Sequence, residues 1–207
     1  MSVHNHWDTF FEEKIKTICR KNKTVIDIGG GLRIDETKNN RKEHSRDWTM
    51  PFIKDTGTEY KILDKVADYH PDIVGDIHEL PFEDNSIDAI VCIAILEHVE
   101  NPIKATEEMY RVLKPGGMCF IYVPFLFYYH PMKGYYKDFY RFTYDGLEYM
   151  TREFKTVEFC NVRGAVSTAM NLFPFFSKRT ALFDWIDRKI GKHKSKQTSG
   201  YNVFCIK

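Results

Sequence analysis

Hydrophobic positions along this chain switch repeatedly between helical and strand spacing. Phe10, Phe11, Ile15 and Ile18 recur at the interval that lines one face of a helix over 8–22, with Asp8 or Thr9 placed to cap its start. Val25-Ile-Asp-Ile28 is a short β-branched run that predicts a strand, and it ends in Gly29-Gly30-Gly31. From Leu32 to Thr58 the periodicity fails. That stretch is polar, charge-dense between Lys38 and Asp47, and then carries Trp48, Pro51 and Phe52. It reads as an extended connection in which Trp48, Pro51 and Phe52 either close over a substrate or pack as a peripheral insertion. Tyr60 to Leu63, closed by Asp64, predicts a second strand, and Ile73-Val74, closed by Gly75-Asp76, a third. Ile87 to Ile95 is almost wholly apolar, as expected of a central parallel strand covered on both faces.

The second half continues the alternation. Asn101-Pro102 open a helix through Leu113, with Ile103, Met109, Tyr110 and Leu113 on its core face and Pro115-Gly116-Gly117 as its stop. Met118 to Val123 predicts a fifth strand. Phe125 to Phe142 is an aromatic-rich connection, and Thr143 caps a short helix from Tyr144 to Met150. Val157 to Val162 and Tyr201 to Ile206 predict the last two strands. Strand and helix in turn imply one α/β domain over 1–207, a mostly parallel sheet with helices on both faces. Its parts are the helix at 8–22, a core at 24–124, an aromatic segment at 125–152 and an insertion at 163–200. Within the insertion, Leu182, Phe183, Ile186 and Ile190 share one helical face, followed by lysines. This predicts a cover over the substrate site or a dimer contact, with a membrane-surface helix as the alternative.

Composition narrows the function. A formal net charge of +1 supplies no global field for nucleic acid, and no basic cluster interleaves with the predicted site. Five cysteines, an odd number, form no C-x-x-C pair, and three of them sit in apolar runs, which predicts free thiols in a reducing cytoplasm. His4, His6 and the remaining histidines show no metal-ligand spacing, so no metal is expected.

A strand that ends in glycines lets main-chain N–H groups approach a ligand closely. Gly29 and Gly31 fit the first two positions of the dinucleotide pattern G-x-G-x-x-G, but Ile34 occupies the third. Asp64, at the end of the second strand, is placed to accept two hydrogen bonds from ribose hydroxyls. Both features suit an adenosine-containing ligand, whether a dinucleotide or S-adenosylmethionine.

The order of further motifs separates these ligands. Val25-Ile-Asp-Ile-Gly-Gly-Gly31, Gly75-Asp-Ile-His-Glu-Leu-Pro-Phe82, Ser86-Ile-Asp-Ala-Ile-Val91, Leu96-Glu-His-Val99 and Arg111-Val-Leu-Lys-Pro-Gly-Gly117 follow one another at strand ends. Together they closely resemble class I S-adenosylmethionine-dependent methyltransferases of the type 11 subgroup, over roughly residues 24–124. The resemblance implies a Rossmann-like seven-stranded sheet with an antiparallel last strand and S-adenosylmethionine as cofactor. It implies that Asp27, Gly29 and Gly31 surround the methionine end of the cofactor, that Asp64 holds the ribose, that Asp76 and Ile77 border the adenine, and that Ile93, Ala94 and Ile95 line the floor. The chain departs from the family in two places: Arg33 replaces the third glycine, and the run from Gly31 to Asp64 is long.

Methyl transfer needs an aligned nucleophile, exclusion of water and, for a hydroxyl acceptor, removal of a proton. The aromatic segment places His130, Asp138 and Arg141 among tyrosines and phenylalanines, and Asp138-Phe-Tyr-Arg-Phe-Thr143 resembles a run in methyltransferases of bacterial glycan biosynthesis. His130 is therefore the first candidate base and Asp138 the second, with Tyr128, Tyr129, Tyr140 and Arg141 toward the substrate. Either base candidate can alternatively serve only to pin the loop, and His98 reads as a helix-start residue. The expected reaction is O-methylation of a glycan or other small hydroxylated molecule, with a quinone precursor or an amine as the alternative acceptor, or cofactor binding without catalysis.

Overall fold

The computed structural model describes residues 5–34, 43–173, 175–176 and 180–207. His4, the segment 35–42 of the charge-dense run and Pro174 in the insertion lie outside the described residues. Seven strands form one sheet: β1 (Thr24–Ile28), β2 (Glu59–Asp64), β3 (Ile73–Val74), β4 (Ile87–Ile93), β5 (Leu113–Pro124), β6 (Thr156–Val162) and β7 (Gly200–Ile206). Their order is β3-β2-β1-β4-β5-β7-β6. The pairings among β1 to β5 are parallel, and β7 runs antiparallel to both neighbours. The Rossmann-like sheet with an antiparallel last strand is thus the architecture expected from the sequence.

Period-two alternation splits the core into two layers. Ile26, Ile28, Ile90, Cys92, Cys119 and Ile121 face one side, where they meet Ala105, Met109 and Val112 of α3 (Pro102–Val112) and Leu147 and Met150 of α4 (Tyr144–Met150). Val25, Ala89, Val91, Ile93 and Phe120 face the other, against Ile15, Ile18 and Cys19 of α1 (His6–Lys21) and Ile53 of α2 (Thr49–Thr56). Between β1 and β4 the chain reverses its direction of travel across the sheet. A crevice opens at such a switch point, beyond the carboxyl ends of the strands.

Several local expectations are corrected. Helix α1 begins at His6 after Asn5, so Asp8 and Thr9 lie inside its first turn and cap nothing; Thr9 Oγ1 instead donates to Asn5 O at 3.2 Å. The connection after Leu32 contains α2. Pro51 sits in its first turn, where an N–H would have no helical partner, and Gly57, with φ of 67°, closes it. β4 ends at Ile93 because Ala94 turns to φ of 55°. α3 is capped as expected by Asn101, which accepts from Lys104 N at 3.0 Å, but Ile103 is 41% exposed and the helix stops at Val112. Leu113 is already extended and fully buried as the first residue of β5, ahead of the Pro-Gly-Gly turn. Thr143 accepts from Gly146 N at 3.1 Å, capping α4.

The insertion folds as α5 (Ala165–Asn171) and α6 (Thr180–Lys189). The expected apolar stripe of α6 is not its buried side. Asp184 and Asp187 point inward, Phe183 and Ile186 are half-buried, and Leu182 and Ile190 are exposed. Asp187 accepts Val166 N at 2.9 Å and Ser167 N at 2.8 Å, satisfying free amides at the start of α5, and this bond turns the polar side of α6 inward. No helix among the described residues is long and apolar enough to cross a membrane. All five cysteines are free, and burial raises the pKa of each thiol.

Glu108 ties the segment after β3 to α3. It accepts Leu80 N at 3.0 Å and Arg111 Nη2 at 2.7 Å, while Arg111 also donates to Phe82 O at 2.9 Å. The Arg111 hydrogen bonds, opposed by burial, bring the Glu108 carboxyl down to about 2. A depressed folded pKa contributes stability that is present above the unfolded value and lost as pH falls. Urea unfolding of the wild type and Glu108→Gln should therefore differ fully at pH 7, and the gap should close as pH falls from 4.5 toward 2.

Candidate active site

The crevice at the switch point is built around Asp27. At the end of β1 its carboxylate is completely buried and accepts Gly31 N and Leu32 N, each at 3.0 Å, together with the Tyr60 hydroxyl. Burial pushes its pKa up to about 6, against the opposing effect of these three donors. The side chain therefore shapes the glycine loop from beneath instead of reaching the crevice. Gly29 and Gly30 adopt φ of 74° and 60°, which side-chain-bearing residues rarely occupy. Arg33 has φ of 54°, so the position where the related family carries glycine keeps a left-handed backbone here without it.

A cleft of about 760 Å³ lies above this loop. Gly29, Gly31, Asp64, Asp76, Ile77, Ile93, Ala94 and Ile95 all line it, so eight of the nine sequence candidates for the cofactor converge there and Asp27 stands behind them. Space in the cradle depends on the glycines. A Cβ at Gly29 would lie 2.1 Å from Ile95 Cδ1, and one at Gly31 would lie 2.7 Å from the main-chain oxygen of Ile93. Asp64 accepts Val66 N at 2.8 Å through Oδ1, and partial burial raises its pKa. Asp76 is differently held. Burial raises its pKa, but Lys65 at 2.7 Å and His78 at 2.7 Å outweigh it and bring the carboxyl to about 2. Tyr69 stacks on Tyr135 with centroids 5.3 Å apart, closing one wall with part of the aromatic segment.

A second cavity, about 690 Å³, adjoins the first and shares Gly31, Arg33, Ile93 and Ala94 with it. Glu97, Arg46, Tyr122, Asn202, His130, Trp7 and Trp48 line it. Arg46 donates to Gly31 O at 2.7 Å and lies over the Phe11 ring; its pKa is lowered chiefly by burial. Glu97 is fully buried, and neither of its carboxylate oxygens has a hydrogen-bond partner among the described residues. The Glu97 carboxylate raises the pKa of His130, whose Nε2 is 3.8 Å from Glu97 Oε1.

The other residues chosen for substrate work are placed elsewhere. The Asp138 side chain has no exposed surface and lines neither cavity. It pairs with Arg141 at 2.6 Å and accepts His130 N at 2.8 Å, and Arg141 brings its pKa down to about 2. Arg141 also donates to the main-chain oxygens of Phe127, Tyr128 and Tyr140, which leaves it committed to the loop. Tyr128 donates to Asn171 O, Tyr140 donates to Glu100 O at 2.8 Å, and Tyr129 is 76% exposed. None of these four lines either cavity. Sequence reasoning passed over Glu97, Arg46, Tyr122 and Asn202. Only Glu97 carried a signal, as an acid within Leu96-Glu-His-Val99.

Comparison with known proteins agrees with this geometry. A family model described as a methyltransferase domain matches residues 36–121. Ubiquinone/menaquinone biosynthesis C-methyltransferase UbiE of Psychromonas ingrahamii is 33% identical over 150 residues, covering 69% of this chain and 57% of the relative. The chain spans about half the length of such curated relatives, with 49% for the UbiE of Ruegeria. Among solved structures, a SAM-dependent methyltransferase from Archaeoglobus fulgidus superposes with a TM-score of 0.58 at 14% identity, covering 98% of this chain and all of that one. Phosphoethanolamine N-methyltransferase 2 of Haemonchus contortus, solved with S-adenosyl-L-methionine, gives 0.54 at 15% identity, covering 96% of this chain and 52% of that one. These likenesses concern the fold. Residues 36–121 thus match a methyltransferase domain, and the chain has the fold of S-adenosylmethionine-dependent methyltransferases.

The cleft fits that cofactor in its donor and acceptor set: the carboxylates of Asp64 and Asp76 line it beside the glycine turn, and the turn packs on Ile93 and Ile95 so closely that neither Gly29 nor Gly31 has space for a Cβ. Replacing Gly31 by Ala forces the main chain away from Ile93. The expected outcome is a loss of about 1–3 kcal/mol in stability, and calorimetry should show S-adenosylhomocysteine binding at least about tenfold weaker, the equivalent of about 1.4 kcal/mol.

Proposed function

We propose that this protein transfers a methyl group from S-adenosylmethionine to a hydroxyl of a small polar acceptor, with a sugar or glycan unit as the leading class. The carrying observation is that a second cavity, in which Arg46, Glu97, Tyr122 and Asn202 stand among aromatic rings, meets the cofactor cleft at Gly31, Arg33, Ile93 and Ala94. When bound, S-adenosylmethionine supplies a methyl carbon on a sulfonium that leaves as a neutral thioether. Gly29 and Gly31 admit its methionine end, Asp64 accepts its ribose hydroxyls, Asp76 and Ile77 border its adenine, and Ile93 to Ile95 floor the site.

On the acceptor side, Arg46, Tyr122 and Asn202 offer hydrogen bonds to hydroxyls, and Trp7 and Trp48 offer ring faces against which a sugar packs. Their mixture of charge and aromatic surface suits a small, hydroxylated ligand better than a long apolar tail. Of the two residues chosen from sequence to act on the hydroxyl, His130 reaches this cavity. Asp138 holds the loop that carries His130. Substrates are small molecules or glycans, with no role for nucleic acid. Contact with a membrane surface through the exposed Leu182 and Trp185 is a lesser alternative.

A second reading has a specific basis in the UbiE relative. There the acceptor would be a ring carbon of a quinone precursor, stacked on Trp7, Phe11, Trp48 or Phe127. Incubation with methyl-labelled cofactor and cell extract, followed by identification of the labelled product, separates the two. A methyl ether is expected; a C-methylated ring would replace this reading with the second. Binding of cofactor without transfer to any acceptor would favour a non-catalytic role. His130→Ala should lower turnover by about 10²–10⁴-fold while leaving S-adenosylhomocysteine affinity unchanged, and Asp138→Asn should act mainly on thermal stability.

A further inference from the structure

We infer that Glu97, His98 and His130 form a binding site for one divalent transition-metal ion of the zinc type, where the second cavity, lined by Glu97 and His130, backs onto the cofactor cleft, lined by His98. One ligand atom from each residue lies within 4.8 Å of the others. Glu97 Oε1 is 3.9 Å from His98 Nε2 and 3.8 Å from His130 Nε2. Zinc–ligand bonds of about 2.0–2.2 Å place tetrahedral ligands about 3.4 Å apart, so the site closes when the two carboxylate edges shorten by about half an ångström and the imidazoles, within 4.8 Å of each other, draw together by at most about 1.4 Å.

Two independent features prepare these atoms for a cation. Both oxygens of Glu97 are buried without a hydrogen-bond partner among the described residues, and a buried carboxylate left in that state is costly unless a cation meets it. Each imidazole is also oriented from behind. His98 Nδ1 lies 2.7 Å from Lys137 O, and His130 Nδ1 lies 2.8 Å from Tyr128 O. A carbonyl accepts only, so each Nδ1 carries a hydrogen and Nε2 is the ring atom left to bind an ion, which takes the place of any proton there. Outer hydrogen bonds of this kind hold histidine ligands in metal centres. Asp138 and Arg141 extend the support, since Asp138 accepts His130 N at 2.8 Å and pairs with Arg141.

Two imidazoles and one carboxylate leave at least one coordination position open. Glu97 and His130 line the second cavity, so an oxygen of an acceptor held there would take the position, which deepens and rests on the hydroxyl-methylation reading. A metal-bound hydroxyl loses its proton to solvent. Its oxygen then forms the bond to the methyl carbon while the sulfur–methyl bond breaks and its electron pair stays on sulfur. His130 acts here as a ligand, and the ion lowers the pKa of the hydroxyl.

The test uses tag-free full-length protein stripped with chelator. Titration with Co²⁺ followed by visible absorption, and with Zn²⁺ by calorimetry, should show one saturable site per chain. Glu97→Gln and His130→Ala should each weaken binding at least about tenfold, whereas the exposed control His70→Ala leaves it unchanged. S-adenosylhomocysteine affinity reports whether each variant is folded. If folded wild-type protein binds the cofactor product but neither ion, the metal site is overturned and the methyl-transfer reading stands. If it binds neither, both fall. Ion binding that survives Glu97→Gln and His130→Ala in full also overturns the assignment.

Discussion

The carboxylate of Asp27 is completely buried, yet it accepts two main-chain amides and a tyrosine hydroxyl. Hydrogen bonds to a charged group contribute about 1.5–3 kcal/mol each, which offsets much of the cost of burying the charge. Those bonds fix the course of the chain from Gly29 to Leu32. Because the loop is fixed, Gly29 and Gly31 press against Ile95 and Ile93 with no space for a side chain. The ends of β1 and β4 are thereby locked together at the one place where the sheet opens. The two cavities meet at that contact, where they share Gly31, Arg33, Ile93 and Ala94.

The two cavities differ in how they are made. The cofactor cleft is built from short turns at strand ends, whose positions follow from strand register. The second cavity is assembled from distant segments: α1 supplies Trp7, the run before α2 supplies Arg46 and Trp48, β5 supplies Tyr122, β7 supplies Asn202, and the aromatic loop supplies His130. A rigid sheet carrying variable surroundings is the arrangement in which one cofactor serves many acceptors. Arg141 and Asp138 illustrate the requirement this imposes. A loop of many carbonyls needs donors, and Arg141 supplies them to Phe127, Tyr128 and Tyr140 while Asp138 keeps it in place.

Legibility in the sequence followed the same division. Strand runs, the glycine turn and the strand-end acids were readable because local spacing dictates them; Asp64, Asp76 and Ile93 to Ile95 meet in one cleft. Helix α2 was hidden because Pro51, normally a breaker, stands in the first turn, and because the buried side of so short a helix is carried by Thr49 and Ile53. The inward face of α6 was hidden because Asp187 is drawn in by amides of α5 that lie far away in the chain. Tyr128, Tyr129, Tyr140 and Arg141 stand in a segment next to the site, but nearness in sequence does not say which way a side chain turns.

What the sequence determined by itself is the α/β alternation and the glycine turn at the end of the first strand, because β periodicity and glycine turns are local properties that one stretch of chain expresses alone; the methyl-donor class came from the resemblance of the ordered motifs to a family. Only the tertiary structure decided that Glu97, His98 and His130 come together, that Asp138 is held in an ion pair, and that Arg46 and Asn202 line one cavity. Those placements depend on packing between segments with no shared periodicity. The physical reason is that burial and hydrogen-bond satisfaction are settled for the whole molecule at once, after the local elements have already formed.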